Sequence, residues 1–137
     1  MTPALTWLTL TLFLALAYIF APAAARTLKF GANWNAGARD KDMGDPGILA
    51  GRLLRAQANL YETLPLMVGA VLIAHVVKAD AGQAAFGAQL YFFSRLVYLP
   101  LYAFGVPYLR SIAWLVGLYG FFTVLTAILS APQAVVG

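Results

Sequence analysis

Cysteine is absent from the chain, and histidine occurs once, at His75. The first absence excludes disulfides, thiolate zinc sites, iron–sulfur clusters and a cysteine nucleophile of the protein's own. The second excludes a multi-histidine metal site within one chain, and no metal is expected. Charge is scarce too: nine Lys or Arg and five Asp or Glu among 137 residues make 10%, against roughly 25% in soluble domains. Hydrophobic residues, by contrast, reach 62%. A soluble fold of this size cannot hide that much apolar surface, because small domains have the least favourable surface-to-volume ratio. The excess is expected to face lipid.

The net charge of +4 does not point to nucleic acid, because the charges are not spread over a basic face. Nine of the fourteen lie between residues 26 and 55: Arg26, Lys29, Arg39, Lys41, Arg52 and Arg55, with Asp40, Asp42 and Asp45. A polar loop beside a membrane has this pattern. Residues 1–25 carry no charged side chain, and residues 5–25 can cross a hydrocarbon core of about 30 Å. Ala23-Ala24-Ala25 resembles a signal-peptidase site. The segment before it has no Lys or Arg and is long for a signal core, so it is read as a retained span. Residues 26–52 follow as one long loop turning at Asp45-Pro46-Gly47. Further spans are expected at about 53–77, 84–104 and 111–131, so that residues 1–137 form a single all-α domain, a four-transmembrane-helix bundle. Four spans put both termini on one side. Arg26, Lys29, Arg39, Lys41, Arg52 and Arg110 all fall on the other, which the positive-inside rule places in the cytoplasm.

Polar residues inside the spans say more, since each is expensive in lipid and turns toward protein or water. In the second span Arg52, Arg55, Asn59 and Glu62 recur every three or four residues, within an arc of roughly 80°. In the third, Tyr91, Arg95, Tyr98 and Tyr102 fall within roughly 60°. Glu62 and Arg95 each lie about 14 Å from the cytoplasmic end, where antiparallel neighbours are expected to pair them. Arg110 opens the fourth helix, where the positive end of the dipole adds to its own charge. An isolated Glu62–Arg95 pair would read as glue between helices. Three arginines (Arg55, Arg95 and Arg110) against one carboxylate leave charge over, which favours a site for a small, polyanionic, partly zwitterionic ligand.

Residues 55–65, from Arg55-Ala56-Gln57-Ala58-Asn59 through Glu62 to Pro65, resemble the R-A-x-x-N-x-x-E-x-x-P signature of the MAPEG family. These are the membrane-associated proteins of eicosanoid and glutathione metabolism. Arg95-Leu96-Val97-Tyr98, Tyr102 and Arg110-Ser111 extend the resemblance over nearly the whole chain. It implies a homotrimer of four-helix subunits in contact with membrane lipid. Glutathione, as cosubstrate, would bind between neighbours near the cytoplasmic side, and a lipophilic small molecule would be its reaction partner. Carried over by motif, Arg55, Asn59 and Glu62 would hold the glutathione backbone and its charged ends, and Gln57 a neighbouring subunit's ligand. Arg95 would support Glu62, Tyr98 and Tyr102 would line the site, and either Arg26 or Lys29 would add a basic contact. Arg110, with Ser111 beside it, would face the thiol. Thr63, Ala58 and Tyr98 depart from the residues of the two eicosanoid branches, so membership of neither is expected.

The resemblance implies a glutathione transferase with peroxidase-type reactivity; the alternative it leaves is a non-catalytic lipid- or glutathione-binding protein of the same fold. With no eukaryote-style retention signal, the expected setting is a bacterial inner membrane. Among the remaining residues, His75 reads as interfacial, Trp34 as an interface anchor, and Trp7 and Trp114 as lipid-facing or packing residues.

Overall fold

The computed structural model describes residues 1–133, and among these the regular structure is entirely helical. The fold has four long helices, α1 (Pro3–Phe30), α3 (Ile48–Val76), α4 (Ala81–Ala103) and α5 (Pro107–Leu129); short turns join the last three, and a longer segment carrying the one-turn helix α2 (Ala32–Ala36) joins α1 to α3. Starts and stops follow local chemistry. Thr2 accepts a hydrogen bond from the Leu5 amide and Asp80 one from the Gln83 amide, capping α1 and α4. Pro107 opens α5, where its missing N–H costs nothing.

Helices α1, α3 and α5 are long and apolar enough to cross a membrane. Helix α4 has 23 residues, about 34 Å, which also suffices in length, but Gln83, Gln89, Ser94 and Arg95 lower its hydropathy. It can carry them because Tyr91, Ser94, Arg95 and Tyr98 are buried against the other helices. Helices α4 and α5 make the closest approach: a Cβ placed on Gly120 would lie 2.5 Å from the Gly87 carbonyl oxygen. Small residues let two membrane helices touch backbone to backbone in this way. Tyr18, Leu60, Met67, Val71 and Val124 fill the space between helices.

Every helix is longer than its expected span, and the long loop is correspondingly shorter. Nothing in Arg26-Thr27-Leu28-Lys29 breaks a helix, so α1 runs on to Phe30 and stops at Gly31, whose φ of 94° suits glycine. Trp34 of α2 then stacks edge-on against Phe30 and donates its indole N–H to the Lys41 carbonyl, pinning the loop. The expected turn forms where Asp45 accepts from the Gly47 amide at 2.7 Å, and α3 starts immediately afterward. Only Gly31 and residues 37–47 of the expected 26–52 loop lack helix.

Candidate functional site

Arg95 is the hub of the polar interior, 1% exposed. Its two terminal nitrogens donate to Asn59 Oδ1 at 2.7 Å and Thr63 Oγ1 at 2.8 Å. The rings of Tyr91 and Tyr98 lie 5.5 and 5.0 Å from its guanidinium carbon. The Thr63 and Tyr91 hydroxyls are 2.7 Å apart, and Tyr18 of α1 donates to the Arg95 carbonyl at 2.6 Å. One guanidinium thereby ties α3 to α4, with α1 fastened to the same turn.

The expected Glu62–Arg95 pair does not form. Arg95 turns instead to Asn59 and Thr63, one helical turn apart on α3, while Glu62 lies on the exposed face. The helical wheel explains this. Thr63 stands about 40° from Asn59 on the side facing α4, and Glu62 about 60° away on the other side.

Beside the hub, a groove of about 460 Å³ is lined by Asn59, Tyr98, Tyr102, Arg110, Ser111, Trp114 and Leu115. The Arg110 guanidinium lies 4.5 Å from the Tyr102 ring centre, and that of Arg55 lies 5.8 Å from the same ring. Arg55 Nε also donates to the Tyr102 hydroxyl at 3.3 Å. Two cations sharing one ring repel each other, and an anion between them would relieve that repulsion and be held by both. Arg110 stands in the first turn of α5, which no side chain caps, so the dipole adds to the positive field. Ser111 Oγ donates to the Pro107 carbonyl at 3.3 Å, at the groove's edge. Arg52 holds this end together, its Nη1 donating to the Ala103 carbonyl at 3.3 Å under the α4–α5 turn.

The structure thus gathers Asn59, Tyr98, Tyr102, Arg110 and Ser111 around one groove, with Arg55 at its rim and Arg95 behind Asn59. Gln57 stands apart, its amide donating to the Tyr18 carbonyl at 3.1 Å and so tying α3 to α1. Glu62, Arg26 and Lys29 do not line the groove; Lys29 Nζ lies beside Gly47 at the end of the loop. Three contributors escaped the sequence reading. Thr63 follows Asn59 by four residues and so shares its face. Tyr18 is a phenol in a span without charge, and a buried phenol needs a hydrogen-bond partner. Trp114, expected to face lipid or pack, forms a wall of the groove; its i+4 relation to Arg110 was the available signal.

Fold and site together define an integral membrane protein of packed helices, with its polar residues gathered into an intramembrane cluster that opens toward one end. A family model described as the MAPEG family matches residues 4–130, and the chain belongs to that family. Membership supports a glutathione-related transferase or peroxidase type of protein in general. A comparison with curated proteins finds no match.

Proposed function

We propose that this protein is a membrane-bound glutathione transferase that also reduces hydroperoxides through the same thiol. The observation that carries this reading is Arg110, placed in the first turn of α5, on the Tyr102 ring and in the wall of an open groove. A thiol ionises with a pKa of about 8.5, and only the thiolate is nucleophilic. The Arg110 charge and the α5 dipole favour the anion, and a guanidinium keeps its proton in apolar surroundings where an ammonium loses it. The protein has no cysteine, so the tripeptide supplies the nucleophile. Arg55, Asn59 and Glu62 hold its backbone and charged ends, and the lipid supplies an apolar electrophile or hydroperoxide.

A homotrimer belongs to this reading. Arg55 and Glu62 are exposed on a membrane-spanning helix. A charge at the centre of a lone helix in lipid costs about 2.5–3.5 kcal/mol or more, so a second copy covering this face would remove that cost and complete the site between subunits. The reading places the groove on the cytoplasmic side of a bacterial inner membrane.

The test is a glutathione titration of detergent-purified protein, followed by thiolate absorbance at neutral pH. A thiolate band that grows to saturation and vanishes in Arg110→Ala is expected. Saturable glutathione binding without that band would make this a binding protein and refute thiol activation.

A further inference from the structure

Besides the groove there is a second, smaller space that the proposed reaction does not use. It has a volume of about 50 Å³ and is bounded by Thr63, Tyr91, Arg95 and Trp114, with Gly117 and Phe121 among its apolar walls. A water needs about 10–15 Å³ of such volume, so the cavity has room for a few waters or for one dehydrated halide. Its chemistry favours the ion. Arg95 is buried, and both of its hydrogen-bond acceptors, Asn59 and Thr63, are neutral. The tyrosine rings beside it attract the cation but carry no net charge. Its third donor, Nε, is buried and has no partner among the described residues. Waters would satisfy a donor without neutralising the charge, and buried charges are ordinarily paired.

The hydroxyls add a second donor. In the 2.7 Å contact between Thr63 and Tyr91, either oxygen can donate. When Thr63 donates, the Tyr91 O–H is free to turn toward an anion, while Thr63 still accepts from Arg95. We propose that the cavity lined by Trp114, Arg95, Tyr91 and Thr63 binds a small monovalent anion of halide size as the counter-ion of Arg95. Bound there, the anion neutralises the hub joining α3 and α4, and Trp114 lines both its cavity and the groove.

The test uses the full chain in liposomes with Trp7→Phe and Trp34→Phe, so that Trp114 is the remaining tryptophan. Iodide is titrated at constant ionic strength against gluconate. Saturable quenching is expected, displaced by chloride, preserved in Arg110→Gln, and shifted to about tenfold higher iodide in Tyr91→Phe, as loss of one hydrogen bond to an ion predicts. Unsaturable quenching that chloride does not displace would overturn the proposal, because only collisions are then being seen. Quenching lost in Arg110→Gln but intact in Tyr91→Phe would place the anion in the outer groove and overturn it equally. Should Tyr91→Phe not fold, crystals of the unaltered protein grown in bromide decide: anomalous density in the cavity supports the proposal, and its absence refutes it.

Discussion

Replacing Gly120 by alanine isolates the contact on which the α4–α5 pair depends. The new Cβ would stand 2.5 Å from the Gly87 carbonyl oxygen, 3.0 Å from Leu90 Cβ and 3.1 Å from the Tyr91 amide nitrogen. Two of the three neighbours are backbone and cannot rotate away, so the helices must separate along their closest line. Overpacking of this kind costs about 1–3 kcal/mol, and Tyr91, which contacts both Thr63 and Arg95, is displaced with α4. Gly117→Ala is the internal control. Its Cβ would meet the Ser94 hydroxyl at 2.5 Å, but that oxygen can swing aside, at the expense of its bond to the Ala113 carbonyl, worth about 0.5–1.5 kcal/mol. Thermal unfolding in one detergent should therefore rank wild type above Gly117→Ala and Gly117→Ala above Gly120→Ala, the last falling by roughly 5–10 °C. Equal melting of Gly120→Ala and wild type, or a reversed order of the two variants, would refute backbone contact as the determinant.

Arg110→Ala should slow turnover with a model aryl halide about ten- to a hundredfold, the loss of one charge-assisted hydrogen bond worth roughly 1.5–3 kcal/mol, while Arg55→Ala chiefly raises the glutathione concentration required. The pH profile separates these roles. A stabilised thiolate lowers the thiol pKa below about 8.5, so wild-type activity should reach its plateau at lower pH than that of Arg110→Ala; coincident profiles would remove Arg110 from thiol activation. Gly69 lies on the α3 face that also exposes Glu62, with nothing within 4 Å of its Cβ position in one chain; if the proposed trimer packs on that face, Gly69→Leu should lower the mass found in detergent, and an unchanged mass would argue against packing there. Tyr18→Phe should lower stability by about 1 kcal/mol through the lost bond to the Arg95 carbonyl, read by denaturation, with unchanged stability counting against that tie. Cysteines placed at residues 37–47 should react with impermeant reagents from the cytoplasmic side alone, and labelling from outside would reverse the topology.

The number of long helices and their polar stripes were legible because lipid penalises every misplaced polar group, so hydropathy and a period near 3.6 carry unusually strong information. Helix ends were less legible, and for one reason throughout. Sequence marks where the apolar run stops, whereas a helix continues until something stops it: Arg26–Lys29 contain no breaker, and the single Gly51 within Ile48–Arg52 does not interrupt α3. The stripe on α3 drew attention to Asn59 and Glu62 together but not to which of them meets Arg95. An arc of roughly 80° is wide enough for its two edges to face different neighbours, and only packing decides which edge turns inward. Helix α4 was legible as a span although it is the most polar of the four long helices, and the burial of Tyr91, Ser94, Arg95 and Tyr98 against the other helices explains how it carries that polarity.

The three intramembrane arginines illustrate how position divides work among identical side chains. Arg95 is buried, hydrogen-bonded to Asn59 and Thr63 and flanked by two tyrosines, so a ligand in the groove would have to break existing bonds to take over its terminal nitrogens. Arg55 and Arg110 are more open and share the ring of Tyr102, and among the described residues neither is paired with a carboxylate. Their charges are therefore available to an anion at little cost in lost contacts, and their mutual repulsion makes the anion-bound state the lower one. Asn59 connects the two environments, accepting from Arg95 on one side and lining the groove on the other. Its side-chain orientation is fixed by a buried charge before any ligand arrives, so the groove presents one polar wall already in place. Preorganisation of this kind lowers the ordering cost of binding, and it follows from where the third arginine is buried.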